Sequence, residues 1–356
     1  MRVCLIASSR FPVAEPFHGG LEAHTATLAG ALIERGHEVS VFAAPGSDPR
    51  FNVDDLAVPR FSSSAAARAD VGAMPEQWIQ EHHAYLGLML GLTRDAGERF
   101  DLVHNNSLHH LPVAMAAALD VPMVATLHTP PIAWLESAIA LSSQAVAFAS
   151  VSRFTADAWA HATASTVVMN GVDVRRWRPG PGGPHAVWTG RIVPEKAPHL
   201  AIEAARLADI EIDVAGPISD VAYFEERIVP LLGPEARYVG HLGADDLCAL
   251  VGAAAVAVVS PCWDEPYGLV AAEAMACGTP VAALPRGALP ELVTPRSGVL
   301  ARGDDAAALA AAIRQARELD RDQVRRHAED RLSLDRMIDG YEALYESTLL
   351  RRRTPA

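Results

Sequence analysis

Aromatic residues are scarce in this chain of 356 residues: Phe, Trp and Tyr together make up 6% of it. Half of the residues are apolar all the same, so Ala, Val and Leu must fill the interior, which suits helices packed on parallel sheets. Cysteine is equally sparse. Cys4, Cys248, Cys262 and Cys277 form no C-x-x-C pair and match no zinc spacing, which fits a reducing, cytoplasmic setting; Cys4 lies in an apolar run and reads as core. Positive charge is short, with 30 Lys and Arg against 43 Asp and Glu and a net charge of -13. That balance speaks against nucleic acid as a partner, because phosphate-backbone contacts need a basic field. The run Arg351, Arg352, Arg353 reads as a solvated tail, or at most as a weak peripheral contact with anionic lipid. No uninterrupted apolar span reaches the roughly 18 residues of a membrane helix. The amino terminus lacks a signal-peptide layout, and no G-x-G-x-x-G follows the first apolar run, which disfavours a nicotinamide dehydrogenase.

What is present is an alternation of short apolar runs and helical patterns. Residues 3–7, 38–43, 102–104, 123–127 and 145–148 read as strands, and 21–35 as a helix stopped by Gly36. The rhythm pauses over 171–185, where Pro179-Gly180-Pro181-Gly182-Gly183-Pro184 reads as a linker. It restarts with strands at 186–189, 211–215, 254–260 and 280–284, a helix over 198–207 and a mostly helical tail from Ala306. A length above one ordinary core and this βαβ rhythm predict two doubly wound parallel α/β domains facing across a cleft.

The densest chemical signal is the segment from Ser260 to Pro280, read as strand, loop, helix, glycine stop, strand. Glu265 falls in the loop and Glu273 in the first turns of the helix. Pro266 and Gly268 allow a tight turn, and the helix start at Leu269 and Val270 offers backbone N–H groups to a phosphate. Two carboxylates beside a phosphate site suit the hydroxyls of a sugar nucleotide. Taken singly, each carboxylate fits a solvated surface position as well. Arg191 and Lys196 share one strand-to-helix loop and suit a diphosphate clamp that replaces a metal ion, or two surface cations with Glu195 as a partner. His18-Gly19-Gly20 precedes the first long helix; Gly19 and Gly20 fit either a backbone cradle for phosphate or a flexible loop. His128 sits at a predicted strand end, where such sheets build sites, and fits a substrate contact or a structural histidine. The cluster His104, Asn105, Asn106, Ser107, His109 and His110 follows another strand and fits an acceptor pocket or a polar loop. Asp320-Arg321-Asp322 reads as a helix start and not as a metal site.

In order along the chain, these segments resemble the retaining GT-B glycosyltransferases of family four. The resemblance rests on His18-Gly19-Gly20, His128 in an L-H-T context, Val151-Ser152, Asn170-Gly171-Val172-Asp173 and Gly190-Arg191 with Glu195-Lys196. It continues through Glu265-Pro266-Tyr267-Gly268-Leu269, Glu273-Ala274-Met275-Ala276 and Pro290-Glu291-Leu292-Val293. It implies an acceptor-binding domain over 1–175 and a donor-binding domain over 176–334, with a last helix from about 335 packing back onto the first. It implies retaining transfer of a hexose-type sugar from a nucleotide-diphosphate sugar, UDP or GDP being favoured, to an unidentified small-molecule, lipid or glycan hydroxyl, with no metal or other cofactor. Arg191 and Lys196 would bind the diphosphate, and Glu273 the ribose. Glu265 would face the donor sugar, and His128 would touch it. Backbone at Gly19, Gly20, Gly268, Leu269 and Val270 would contact phosphate or sugar, and 238–242 would lie near the base. A sugar-nucleotide epimerase or a non-catalytic sugar-nucleotide binder are the alternatives. Two departures stand out: Ala197-Pro198 where glycine often follows the lysine, which predicts a stiffer loop, and Gly287-Ala288 in place of a glycine pair.

Overall fold

The alternation of apolar runs and helices produces two all-parallel sheets. A computed structural model describes residues 1–56, 61–142 and 145–353, without the side chains of 352 and 353, and divides into two units. The first comprises Met1–Val151, Ala156–Val168 and the chain from Ile338; the second comprises Ser152–Thr155 and Met169–Met337.

The first unit holds a 7-stranded sheet: β1 (Arg2–Ile6), β2 (Glu38–Ala43), β3 (Val53–Asp55), β4 (Leu102–Asn105), β5 (Met123–Leu127), β6 (Val146–Ser150) and β7 (Thr166–Val167). Their order is β3-β2-β1-β4-β5-β6-β7, so the chain reverses direction of build at β1 and β4. All of β5 and nearly all of β1 is buried, as expected of a sheet covered on both faces. Cys4 is fully buried there, and burial holds its thiol far above the ordinary range. Helix Gly20–Glu34 ends where Gly36 takes a φ of 84°, a conformation that stops helices at glycine. Helix Glu76–Arg99 buries Glu81, Tyr85, Met89, Leu92 and Ala96, a stripe at helical spacing. From Ile338 on, helix Leu334–Arg353 supplies Tyr341 and Tyr345, both 0% exposed. Each contributes about 2 kcal/mol by burial alone.

The second unit holds a 6-stranded sheet: β8 (Ala186–Thr189), β9 (Ile212–Ala215), β10 (Ala236–Gly240), β11 (Val256–Val259), β12 (Val281–Ala283) and β13 (Gly298–Leu300), in the order β10-β9-β8-β11-β12-β13. Its interior answers the shortage of aromatics. Ala201, Ala204 and Ala205 of helix Pro198–Leu207 share one core with Leu309, Ala310, Ala312 and Ile313 of helix Ala306–Ala316. Small side chains let those helices lie close to each other and to the sheet.

The segment expected as a linker is packed, and this corrects the reading of 171–185. Gly182 donates its N–H to Gly252 O (2.9 Å), and a Cβ on Gly180 would fall 2.3 Å from Gly252 backbone. The Arg325 guanidinium donates to the carbonyls of Val174, Trp177 and Ala276. Glycines here serve close backbone approach, not flexibility. The same contacts draw the stretch after Val168 into the second unit, since Gly171 and Val172 bond to Met337 and Leu332. Among the described residues no helix is long and apolar enough to cross a membrane.

Candidate functional site

Three neighbouring strands of the second sheet each run into a glycine with positive φ: Gly190 at 149°, Gly216 at 142° and Gly240 at 95°. Gly190 N–H donates to Ala215 O (3.0 Å) and Gly216 N–H to Gly240 O (2.9 Å). A Cβ on Gly216 would lie 1.8 Å from Gly190 O. The carboxyl edge of β8, β9 and β10 is therefore laced backbone, at the end of the sheet where folds of this kind take up ligands. Tyr238, in the stretch expected near a base, donates its hydroxyl to Gly216 O (2.9 Å).

Arg191 and Lys196 leave this edge in one loop. Arg191 is partly exposed, 3.9 Å from the Glu195 carboxylate, so the bland pairing is present. Lys196 ends a short turn after which Ala197 takes the left-handed conformation (φ 47°, ψ 52°). A non-glycine residue there costs about 1 kcal/mol, which is the physical meaning of the departure at this position. The turn is fixed from below. The Ser260 hydroxyl lies 3.2 and 3.0 Å from the carbonyls of Lys196 and Ala197, and Cys262 N–H donates to Glu195 O (2.8 Å).

So held, Lys196 Nζ donates to Glu265 Oε2 at 2.5 Å and lies 5.1 Å from the Trp263 ring centre; Trp263 Nε1–H donates to the same oxygen (3.2 Å). Two residues read in separate loops, 69 positions apart, thus meet. Segments that looked unrelated in sequence converge on this loop. Ser152 Oγ–H donates to Pro266 O (2.7 Å), Tyr267 Oη–H to Asn170 O, and Ala288 N–H to Glu265 O (2.8 Å). Glu291 accepts the N–H groups of Arg153 and Phe154 (3.0 and 2.6 Å). Gly287, at φ 58°, is irreplaceable because a Cβ would stand 2.2 Å from Glu265 O, whereas Ala288 has an ordinary backbone that needs no glycine.

Gly268, at φ 101°, opens helix Leu269–Ala276, and no side chain caps that end. Leu269 and Val270 are half-buried in its first turn. The helix start carries partial positive charge suited to an anion. Glu273 is half-buried, and the desolvation this brings lifts its carboxyl from 4.5 to about 7, against an opposing pull from Arg176. Because the folded pKa is the higher one, the stability associated with Glu273 is full below pH 4.5 and is lost as pH rises through 7. Glu273→Gln is therefore expected to match wild type in melting temperature near pH 4.5 and to exceed it above pH 7. Parallel thermal melts across that range check this, and a constant difference at all pH values would refute it.

In the first unit, Gly19 caps helix Gly20–Glu34 in an extended conformation (φ -163°), again without a side-chain cap, and His18 stacks on Phe11 at 3.8 Å. His128 Nε2 lies 2.5 Å from Asn106 Oδ1, and its ring is 5.0 Å from that of His24. Burial, with His24 and His104 nearby, holds the His128 pKa well below the usual imidazole value. His24, which the sequence reading passed over, is 2% exposed and has no hydrogen-bond partner for either ring nitrogen among the described residues. His104 lies 2.7 Å from both Tyr345 Oη and Thr126 Oγ1, so it is a core group and not a pocket lining. His109 and His110 instead join a column of rings. Tyr85 stacks on His109 (4.2 Å), His109 on His110 (4.5 Å) and His110 on Trp134 (5.3 Å), which is 56% exposed. Asp320 accepts from Asp322 and Gln323 N–H at the start of helix Arg321–Arg331, a cap as expected.

A family model described as Glycosyltransferase Family 4 matches residues 18–176, and one described as Glycosyl transferases group 1 matches 175–331. The glycogen synthase of Mycobacterium tuberculosis is 31% identical over 358 residues, covering 88% of this chain and 85% of that protein. The chain belongs to glycosyltransferase family 4. A D-inositol 3-phosphate glycosyltransferase from Acidothermus cellulolyticus is 27% identical over 428 residues, covering 100% and 92%. The crystal structure of Anabaena HepE in complex with UDP and glucose superposes with a TM-score of 0.75 at 17% identity, covering 98% and 100%, a likeness of fold. This glycosyltransferase accordingly has the GT-B architecture of two Rossmann-like units, and it is a transferase enzyme. The two family models meet at 175–176, whereas the packing of this glycosyltransferase divides at 168–169.

Proposed function

We propose that this glycosyltransferase transfers a hexose-type sugar, with retention, from a nucleotide-diphosphate sugar to an acceptor hydroxyl without a metal ion. The observation that carries the reading is the Lys196–Glu265 contact, held by backbone bonds in the same loop that opens the uncapped helix at Gly268. Lys196 is the only lysine in the chain; every other basic residue among the 30 is arginine. A compact ammonium kept at that one place suits a phosphate oxygen better than a surface role.

In this reading Arg191 and Lys196 bind the diphosphate with the N–H groups after Gly268. Glu273, ionised, accepts from the ribose hydroxyls. Glu265 meets the donor sugar; in the first unit, His128 meets a sugar hydroxyl. The bond from the anomeric carbon to the diphosphate breaks as the acceptor oxygen bonds to that carbon from the same face. The acceptor's proton passes to the leaving phosphate oxygen, whose charge the two cations stabilise. Relatives named for glycogen synthesis, and a fold neighbour solved with UDP and glucose, support a uridine nucleotide carrying glucose as the first donor to try, with GDP-sugars second.

The single lysine makes a direct experiment. An amine-reactive ester adds one acyl group to the Lys196 peptide, read by mass spectrometry. The correct donor, with EDTA present, should slow that addition at least 10-fold at saturation. Unchanged labelling with every UDP- and GDP-sugar would reject the assignment. On the acceptor side, the ring column ending at Trp134 offers flat, uncharged faces, since burial drives His109 to about 3 and lowers His110. Trp134→Ala is expected to raise the acceptor KM roughly 3- to 10-fold with the donor KM unchanged. Glycogen and D-inositol 3-phosphate are the acceptors to use first.

A further inference from the structure

Thr25, Asn106 and His128 form a chain of hydrogen bonds whose direction can be worked out from its far end. Thr25 lies on helix Gly20–Glu34 and donates its Oγ1–H to Leu21 O, four residues back, at 2.8 Å. A carbonyl oxygen only accepts, so the single hydroxyl hydrogen is used there and Thr25 Oγ1 remains as an acceptor. It stands 2.7 Å from the Asn106 amide, which must then present Nδ2–H to it and turn Oδ1 the other way. Oδ1 faces His128 Nε2 at 2.5 Å, and an amide oxygen also only accepts. Nε2 therefore carries the proton. Inverting the amide would set Asn106 Oδ1 against the lone pairs of Thr25 Oγ1, or draw the Thr25 hydroxyl hydrogen away from its bond to Leu21 O. The parts cannot swing, since Thr25 and Asn106 are 1% and 0% exposed and Asn106 N–H is bound to Ile6 O (2.8 Å).

We propose that Thr25 and Asn106 are positioning residues that fix His128 as its Nε2–H tautomer, so that Nδ1 meets a sugar hydroxyl as a hydrogen-bond acceptor and never as a donor. Among the described residues no hydrogen-bond partner meets Nδ1. His24, whose ring lies 5.0 Å from that of His128, and His104 nearby are themselves buried, and burial lowers both, to about 4 and about 3, so neither offers a charge near neutral pH. An acceptor-only ring nitrogen selects a hydroxyl over a fluorine or an ether oxygen at the sugar position it meets. This rests on the reading of His128 as a donor-sugar contact.

The test is the nitrogen spectrum of the full-length protein with 15N-labelled histidine at pH 7.5, assigned by the loss of signals in His128→Gln. Wild type and Thr25→Ser are expected to show Nε2 protonated and Nδ1 bare. Thr25→Val, which removes the acceptor that orients Asn106, should show a mixture of tautomers. It should also lower kcat roughly 10-fold with the donor KM little changed, and Thr25→Ser should restore it. A protonated Nδ1 in wild type, or an unaltered tautomer in folded Thr25→Val, overturns the proposal. If the tautomer is as stated but a bound UDP-sugar leaves the His128 signals unmoved, the relay stands and the assignment of His128 to the donor falls.

Discussion

Lys196→Ala is expected to lower kcat/KM for the donor by roughly 10²- to 10³-fold, the scale of removing one preorganised charge from a transition state that gathers negative charge. Lys196→Arg should fail nearly as badly. The ammonium fits between Glu265 Oε2 and the Trp263 ring, on a turn pinned by Ser260, and a guanidinium is longer, planar and differently hydrated. A chain that uses arginine for every other cation has kept lysine only here. The competing account is that the pair merely holds two loops together. Removing one partner of a largely buried pair costs up to about 3 kcal/mol, so a single variant could lose activity by loosening the loop. The double substitution Lys196→Met with Glu265→Gln separates the accounts, since it leaves neither charge stranded. Steady-state nucleotide release, beside thermal melts, should find it folded and as inactive as the single variant. Recovery of turnover in the double variant would reduce the pair to a structural tie.

Gly216→Ala should carry the largest loss of stability of any single methyl added to the second unit. The new Cβ would fall 1.8 Å from Gly190 O, inside the contact distance of any pair of atoms, and the residue would be held at φ 142°. The neighbour that has to yield is backbone, and it is the residue that aims Arg191. A loss above roughly 3 kcal/mol is expected, enough to leave little folded protein at 37 °C in a marginally stable domain. Urea titration reads this directly. A variant within about 1 kcal/mol of wild type would mean that β8 and β9 part easily at their ends, and the account of that edge as rigid would have to be abandoned. Any folded fraction should bind the donor more weakly, because the strand ends must move apart to admit the methyl.

Strands β2, β5 and β8 were legible because each is a short apolar run, whereas β3 (Val-Asp-Asp) and β7 (Thr-Val) carry too few apolar residues to be read. Residues 38–43, 123–127 and 186–189 coincide with β2, β5 and β8 as observed. The long helix Glu76–Arg99 was not legible. Its buried stripe is regular, but Glu81 and the glycines at 87 and 91 blur the contrast between its faces. The Pro and Gly cluster at 179–184 carried the composition of a linker. Nothing local distinguishes glycine kept for freedom from glycine kept because another backbone lies against it. At the site, Glu265, Arg191 and Lys196 stood out by residue type and spacing. Trp263 and Thr25 did not, since their work is to hold other groups and the chain separates them from those groups; Asn106 stood out only as one of a polar cluster after a strand, not as the partner of His128. The depth of Glu273 was likewise hidden: a glutamate in an alanine-rich helix looks the same in sequence whether it faces water or not.

Helix Leu334–Arg353, which carries Tyr341 and Tyr345, has a bearing on how the molecule is made. Both rings are sealed inside the first unit, and the Tyr345 hydroxyl meets His104 beneath β4. Yet they are encoded after all of the second unit. During synthesis the leading half of the chain emerges with a hole where two aromatic side chains belong and with a buried histidine lacking one of its two partners. A growing chain usually settles its domains in order of appearance. Here the core of the first unit is complete only once translation has passed the codons of the last helix.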